Sequence, residues 1–423
     1  MRQRVLITGP VLSQSGYGEQ ARFALRALRT REDIFDIYIV PTKWGQTGWV
    51  SLANEERTWI DQKIAQTHAF NQMKGKYDIS LQITIPNEWK RLAPINIGYT
   101  AGIETTKVAP VWIQKANEMD KIIVVSNHSK EIFQNTSYQG KHKDTGQFIN
   151  LITQTPVEAV GYPVRNFKKK SVNLKLEYDF NYLAISQWGP RKNFNNLINW
   201  FVEENFDQEV GLVLKTSIKN NSIIDREHTE KKLRNILAKH GERKCKVYLL
   251  HGDLTEEEMT GLYQCPKIKC LISTTHGEGF GLPLFEAAYN GLPVAVPGWS
   301  GHCDFLYMPD TRRKNGKKKP MFASIEYELQ NVQPEAVWNG VIQADSQWAF
   351  PREASFKRRL REVRSEYSRF KRNAKKLQKY LVGTFTEETM YSRFCENVYS
   401  DSDDGVDMEG WLSELQEDIR EVE

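Results

Sequence analysis

The stretch that decides the fold is HGEGFGLPLFEAAYNGLPV, residues 276–294. Its first half carries three alternating glycines beside the glutamate Glu278, and its second half is an apolar run with helical spacing. Pro283 occupies a first-turn position, where proline is tolerated, and Gly291 and Pro293 end the helix. Short apolar strands flank the stretch on both sides. The pattern of strand, glycine-rich loop, helix and strand predicts a parallel α/β sheet.

Such a loop suits the binding of anions and hydroxyl groups. Glycines let the backbone approach a ligand closely, and free N–H groups at the start of a helix attract negative charge. Glu286 follows Glu278 by eight residues, so both carboxylates can face one cleft and accept hydrogen bonds from sugar hydroxyls. The alternative is a tight turn in a parallel sheet, with Glu286 on a solvated helix face.

The whole string resembles the signature of retaining glycosyltransferases of the GT-B architecture, family 4, in the form EGFGLPxxEAxxxGxPV. The resemblance implies an α/β fold of two Rossmann-like domains that face a cleft. We expect an acceptor-side domain over residues 1–168 and a nucleotide-sugar-binding domain over 169–383. A helix at 384–400 then crosses back to the first domain, and an acidic tail, 401–423, is expected to be disordered.

The resemblance also implies roles for single residues. Glu286 would bind the ribose of the donor, and Glu278 would hold hydroxyls of the transferring sugar together with Gly279, Phe280 and Gly281. A UDP-sugar is the favoured donor, and Glu278 is a catalytic candidate. Neither a metal ion nor another cofactor is expected, and the sequence shows no cluster with metal-ligand spacing.

A second glycine loop lies near the N-terminus, where Gly16, Tyr17 and Gly18 follow the predicted first strand. The string Gly16-x-Gly18-x-x-Ala21 matches a dinucleotide fingerprint, but the position about twenty residues on lacks the acid that holds a ribose. Dinucleotide oxidoreduction is therefore the weaker reading. The stretch resembles the glycine loop and helix start that face the donor phosphate and the acceptor in family 4, with Tyr17 on the acceptor side.

Residues 97–133 resemble a subgroup of the same family. Glu104 follows a predicted strand at the mouth of the presumed cleft and is a second catalytic candidate, where many relatives have a histidine. The alternative for Glu104 is a structural carboxylate that caps the next helix.

Further donor and acceptor candidates follow in the second half of the chain. Lys192 matches a lysine with which relatives bind the donor diphosphate, and Arg191 or Lys215 would supply the second charge. His251 ends a predicted strand where the nucleotide base stacks in relatives. Trp299 and His302, in a further glycine loop, are acceptor-side candidates that could instead be structural.

Composition bounds the class of protein. The 423 residues are 40% hydrophobic and 26% charged, which is typical of a globular chain of two ordinary domains. No apolar run is long enough to span a membrane, and the five cysteines fit reduced thiols. We therefore expect a cytoplasmic protein, in a bacterium or a phage-infected host. The oligomeric state is not predicted.

Charge is unevenly distributed along the chain. The tail 401–423 holds ten acids and one arginine, which leaves the rest of the chain with a net charge of about +14. Cations concentrate in a loop at 311–320 and in a predicted helix at 357–379 with eleven Lys or Arg. These segments predict a polyanionic partner, such as DNA with hydroxymethylated bases as the acceptor. The alternatives are a surface polysaccharide or lipid-linked glycan as acceptor, a non-catalytic nucleic-acid- or sugar-binding module, and simply solvated surfaces.

Overall fold

The computed structural model describes residues 2–51, 53–141, 148–309 and 318–399. The first half forms a parallel six-stranded sheet in the order β2-β1-β3-β4-β5-β8, with helices packed on its faces and a hairpin of β6 and β7 beside it. The strands are β1 Gln3–Gly9, β2 Phe35–Pro41, β3 Ile79–Ile83, β4 Ile95–Thr100, β5 Lys121–Val124, β6 Ser137–Lys141, β7 Phe148–Ile152 and β8 Val157–Ala159. The helices are α1 Gly16–Arg29, α2 Glu55–Gln72, α3 Pro110–Ala116 and α4 Asn127–Asn135.

The second half repeats this architecture with a parallel sheet in the order β11-β10-β9-β12-β13-β16. Its strands are β9 Asn181–Gln187, β10 Gly211–Ser217, β11 Lys246–Leu250, β12 Ile268–Ile272, β13 Val294–Pro297, β14 Tyr307–Pro309, β15 Lys318–Pro320, β16 Ala323–Ile325, β17 Tyr327–Asn331 and β18 Gln347–Pro351. Its helices are α5 Phe194–Asn205, α6 Ile223–Leu237, α7 Glu256–Tyr263, α8 Leu282–Tyr289, α9 Cys303–Leu306, α10 Glu353–Ser365 and α11 Tyr367–Thr384. The two parallel sheets confirm the predicted fold of two Rossmann-like domains.

A last helix, α12 Glu387–Val398, packs on α1 of the first domain. The ring of Phe394 lies 5.2 Å from that of Phe23 between centroids, and Cys395 donates to the Ala27 carbonyl at 3.2 Å. The chain passes between the domains twice, near Val164 and near Phe385. The two segments meet, because the amide of Val164 donates to the Phe385 carbonyl at 2.7 Å. The domain limits at 168, 383 and 400 stay predictions.

Several local predictions are confirmed. Glu258 follows Thr255 by three residues, the spacing that predicts a capping box. Helix α7 has this box, since Thr255 accepts from the Glu258 amide and Glu258 accepts from the Thr255 amide. Helix α8 begins at Leu282 with Pro283 in its first turn, and Gly291 follows it with φ +71°. The left-handed conformation at Gly291 is the one that favours glycine after a helix.

One local prediction is wrong. The basic segment 357–379 is two helices, because the chain turns at Glu366 with φ −115° and ψ 33°. The acidic tail and most of the basic loop at 311–320 lie outside the described residues. Within those described, no helix combines the length and apolarity needed to span a bilayer.

Candidate active site

A cavity of about 810 Å³ lies in the cleft between the two domains. Its walls come from the loops that follow β1, β4 and β5 in the first sheet and β9, β10 and β12 in the second. Open parallel α/β sheets bind their ligands at this carboxyl edge of the strands. Both glycine loops predicted from the sequence therefore open into one cavity.

The loop after β12 reaches the first domain at its glycines. A Cβ on Gly277 would lie 2.5 Å from the carbonyl oxygen of Glu104, and a Cβ on Gly279 would lie 2.5 Å from that of Ala101. Gly281 has φ +93° and forms the N-cap of α8. Glycine at the first two positions is therefore what lets the two domain backbones approach each other at the cleft.

Glu278 carries the central ion pairs of the cavity. Lys192 Nζ lies 2.6 Å from Oε1 and 2.8 Å from Oε2 of its carboxylate, and Arg191 Nη1 lies 3.1 Å from Oε2. Arg191 Nη2 also lies 3.2 Å from Oε1 of Glu104 in the first domain. The structure thus brings together four residues that the sequence singled out, and it joins Glu104 to a cation rather than to a helix cap.

The protein holds Glu278 ionised. Burial opposes ionisation, but the charges of Lys192 and Arg191 outweigh burial and lower the pKa of Glu278 to about 2. The Glu278 amide donates to Ser300 Oγ at 2.9 Å, and the Gly301 amide donates to the Glu278 carbonyl at 2.9 Å. A second loop thereby fixes the backbone that presents this carboxylate.

Glu286 lies at another part of the cavity wall, in a different environment. Its Oε2 accepts from Tyr263 Oη at 2.7 Å, and burial, opposed by this hydrogen bond, raises the pKa of Glu286 to about 7. Nearby, Arg165 bridges the domains, because its Nη1 lies 3.3 Å from Glu19 of α1 and its Nη2 lies 3.2 Å from Glu256 of α7. The sequence did not single out this bridge, because its three residues come from distant segments of the chain.

The first glycine loop supplies the opposite wall. Ser15 Oγ caps α1 by accepting from the Gly18 amide at 3.0 Å, and Gly16 lines the cavity. Tyr17 also lines it, with its ring 3.9 Å from that of Trp44 and its Oη 2.7 Å from Thr100 Oγ1. A Cβ on Gly18 would lie 1.9 Å from the Ser13 carbonyl oxygen, so Gly18 serves the turn and does not line the cavity.

Lys215 and His251 differ in their position relative to the cavity. Lys215 lines the cavity, and its Nζ donates to the Gly252 carbonyl at 2.7 Å. His251 does not line the cavity, since its side chain is 3% exposed and its Nε2 lies 3.1 Å from Asp225 Oδ2. Contact between His251 and the nucleotide stays a prediction, and in this structure the ring of His251 is paired with Asp225.

The acceptor-side roles of Trp299 and His302 stay predictions. His302 is fully buried, with Nε2 2.7 Å from the Pro297 carbonyl oxygen. Trp299 packs against the ring of His128 at 5.0 Å between centroids. Neither side chain lines the cavity, which agrees with the structural alternative that the sequence left open.

An arm of the second domain, residues 332–346 between β17 and β18, reaches the first domain across the cleft. Asn87 Nδ2 donates to the Gly340 carbonyl at 3.0 Å, and Lys107 forms an ion pair with Asp345. At the base of β18, the Thr106 amide donates to the Gln347 carbonyl at 2.9 Å. The arm therefore closes one side of the cleft.

The arm adds apolar side chains to the cavity wall that sequence reasoning missed: Trp338, Val341 and Ile342. Trp338 is 55% exposed. Trp44 lines the same cavity from the first domain. Nothing local in the sequence of the arm indicates that it crosses to the other domain, because its contacts are with residues more than two hundred positions away.

The described residues contain no group of three or more His, Cys, Asp or Glu side chains placed to hold a metal ion. All five cysteines are free thiols. The positive charge that faces the cavity from the second domain comes from four residues: Arg191, Lys192, Lys215 and Lys219.

The fold defines the class of architecture to which this chain belongs. Two Rossmann-like domains with parallel sheets, a cleft between their carboxyl edges and a terminal helix that returns to the first domain constitute the GT-B fold of glycosyltransferases. No protein-family model and no curated protein sequence matches the chain. The fold is therefore recognised through solved structures.

Three of these solved structures are similar over nearly the whole chain. Sucrose-phosphate synthase from Thermosynechococcus elongatus has a TM-score of 0.59 at 11% sequence identity. The match covers 93% of this chain and 98% of the synthase chain. Anabaena HepE in complex with UDP and glucose has a TM-score of 0.58 at 13% sequence identity, and the match covers 93% of this chain and 99% of HepE. A UDP-forming α,α-trehalose-phosphate synthase from Burkholderia xenovorans has a TM-score of 0.57 at 10% sequence identity. The match covers 94% of this chain and 99% of the synthase. Similarity at this level of identity establishes the fold.

Proposed function

We propose that this protein is a retaining glycosyltransferase of family 4 that transfers a sugar from a nucleotide-sugar donor, with a UDP-sugar favoured. The observation that carries the proposal is the juxtaposition of Glu278, Arg191 and Lys192 at the glycine loop. These groups lie in the cleft of a GT-B fold, in a cavity that Glu286 also lines. HepE, which has this fold, was solved with UDP and with UDP-glucose.

The cavity offers separate groups for each part of such a donor. Glu286 and Tyr263 would bind the ribose hydroxyls. Arg191, Lys192 and Lys215 would face the diphosphate, with Gly16 beneath it. Glu278 and the backbone of residues 279–281 would bind the sugar hydroxyls. Because Lys192 Nζ donates to both carboxylate oxygens of Glu278, we infer that a donor phosphate would compete with Glu278 for the ammonium protons of Lys192.

The charge state of Glu278 bears on the mechanism. A carboxylate held by two cations with a pKa of about 2 is a weak general base near neutral pH. We therefore assign the proton of the acceptor hydroxyl to the departing phosphate. The bond from sugar C1 to the phosphate oxygen breaks with its electron pair on that oxygen, the acceptor oxygen bonds to C1 on the same face, and its proton passes to the leaving phosphate.

Electrostatic stabilisation of the leaving diphosphate is the main task of the site in this scheme. Arg191 and Lys192 supply fixed positive charge next to the sugar-binding loop. We propose that transfer needs no metal ion, and unchanged turnover after treatment with EDTA would support this. Loss of turnover on chelation, restored by a divalent cation, would refute it.

The acceptor would lie between the first domain and the arm. Here Tyr17, Trp44 and Trp338 present aromatic rings to the cavity, and such rings stack on either a sugar ring or an extruded base. We propose a hydroxymethylated base of DNA as the acceptor, and the alternative is a surface polysaccharide or a lipid-linked glycan. The free cysteines support a cytosolic site of action, in a bacterium or a phage-infected host.

The test is a nucleotide-release screen with UDP-, GDP- and ADP-sugars. Each donor is paired with duplex DNA, with and without 5-hydroxymethyl bases, and with glycan acceptors. Glu278→Gln should lower release at least about a hundredfold, while Glu230→Gln, on the surface of α6, should match the wild type. Donor binding without turnover under every condition would favour a non-catalytic binding module. Equal release by the two variants would refute the site.

A further inference from the structure

The basic segment 357–379 divides into two parts with different electrostatics. On α10 most cations are neutralised by nearby carboxylates, as Lys357 is by Glu203 at 2.6 Å and Arg359 is by Glu362 at 2.5 Å. Arg358 and Arg361 are paired in the same way. Helix α10 is therefore attached to the body of the second domain and offers little free positive charge.

Helix α11 differs beyond its first turn. Five of its cations form no ion pair with a carboxylate in the described part of the chain: Lys371, Arg372, Lys375, Lys376 and Lys379. Two of the five, Lys371 and Lys375, line a second cavity of about 410 Å³ together with Lys269, which precedes Cys270 on β12. This cavity is separate from the donor cleft, although Tyr263 and Asn290 contribute to both walls.

The three ammonium groups of this cavity meet neutral acceptors. Lys371 Nζ donates to the Gly291 carbonyl at 3.0 Å, Lys269 Nζ donates to the Pro266 carbonyl at 2.6 Å, and Lys375 Nζ lies 3.4 Å from Gln378 Oε1. An ammonium group has three donors, so each retains protons for a ligand. No carboxylate lines the cavity.

The lysines also oppose one another. Burial lowers the pKa of Lys371, and the charges of Lys375 and Lys269 lower it further. Three like charges around one cavity are unfavourable without a counter-charge, and a bound anion removes this cost. The remaining lining includes amide and hydroxyl groups of Gln378, Asn290 and Tyr367 that can complete its hydrogen bonds.

We propose that the Lys269–Lys371–Lys375 cavity is a second anion site, which binds a phosphate group separately from the donor diphosphate. Lysine binds phosphate as a point charge without the fixed fork of arginine, so the site selects charge rather than one ester. The outer cations of α11, Arg372, Lys376 and Lys379, are exposed next to it. They favour a phosphodiester chain over a small free phosphate as the source.

The experiment is calorimetric titration with inorganic pyrophosphate at low ionic strength, with the donor cleft saturated by UDP. The triple variant Lys269→Gln/Lys371→Gln/Lys375→Gln should weaken binding at the second site at least about tenfold. The matched control Arg372→Gln/Lys376→Gln/Lys379→Gln removes the same charge from the outer face of the same helix and should stay within about twofold. Equal losses in the two triples, or unchanged binding in the first, would overturn the proposal.

Two further measurements keep the result unambiguous. Lys371 is partly buried, so the double variant Lys269→Gln/Lys375→Gln repeats the test without changing that residue, and circular dichroism checks the fold. UDP affinity, measured separately, should be the same in all variants, and a protein that binds no UDP would contradict the donor proposal without touching this one. Displacement of pyrophosphate by a DNA oligonucleotide would assign the phosphate to a nucleic acid, and its absence would assign it to a small anion.

Discussion

Arg191 of the second domain lies 3.2 Å from Glu104 of the first, measured from Nη2 to Oε1. The same guanidinium lies 3.1 Å from Glu278, so one cation is shared between two carboxylates across the cleft. A donor diphosphate would have to compete with both. We therefore expect Glu104 to tune the affinity of the proposed donor site.

Glu104→Gln should therefore tighten UDP binding by about three- to tenfold, because a negative charge next to the phosphate site is removed. Calorimetric titration with UDP measures the effect. Glu118→Gln, which alters a surface pair with Lys115 in the same domain, is the control and should bind as the wild type does. Weaker or unchanged binding by Glu104→Gln would show that Glu104 does not compete for Arg191.

Gly279→Ala should disturb the contact between the domains. Its Cβ would lie 2.5 Å from the Ala101 carbonyl oxygen, which is backbone and cannot rotate away. We expect a loss of about 1–3 kcal/mol in the free energy of unfolding, together with weaker UDP binding. Gly383→Ala, where the added Cβ meets nothing within 4 Å, is the control and should be neutral or slightly stabilising. Equal melting temperatures for the two variants would contradict the packing.

The pKa of Glu278 predicts a stability effect in acid. The folded-state pKa, about 2, lies below the ordinary value of 4.5, so the unfolded chain takes up a proton first as the pH falls. The stability from Glu278 is present above pH 4.5 and is lost as the pH approaches 2. Wild type should lose more stability than Glu278→Gln over this interval in denaturant titrations. Equal losses of stability in the wild type and in Glu278→Gln would mean that Lys192 and Arg191 do not stabilise the Glu278 carboxylate.

The pKa of Glu286 is shifted in the opposite direction, so its effect on stability has the opposite dependence on pH. Its folded-state pKa is raised from 4.5 to about 7, so the folded state retains a proton that the unfolded chain has released. Stability should therefore fall as the pH rises from 4.5 to 7 and stay level above. Glu286→Gln should remove this fall. If the ionised carboxylate binds the ribose, UDP affinity should rise through pH 7 in the wild type alone, and a flat profile would contradict that role.

The features that sequence could predict are local ones. The loop and helix of 276–294 and the capping box at Thr255 depend on neighbouring residues, and both are confirmed. The break at Glu366 was missed because apolar spacing continues across it. Phe356, before the turn, and Phe370, after it, belong to the same core cluster, so the pattern of apolar residues gives no sign of the turn.

The contacts between residues of the site could not be predicted from the sequence. Glu278 and Lys192 were both singled out, yet nothing in the sequence shows that they neutralise each other across 86 positions. The arm with Trp338 was missed for the same reason. His251 was a candidate through family resemblance and His302 through its place in a glycine loop. The sequence does not show that Asp225 and the Pro297 carbonyl are the partners of their rings.

We expect the cleft to bind a nucleotide-sugar donor through Glu286 and the Arg191–Lys192 pair, and a crystal structure of the protein soaked with UDP tests this most directly. We predict the ribose hydroxyls on Glu286 and the diphosphate on Arg191 and Lys192, with Lys192 drawn away from Glu278. UDP bound elsewhere, or a cleft without UDP at saturating concentration, would contradict it.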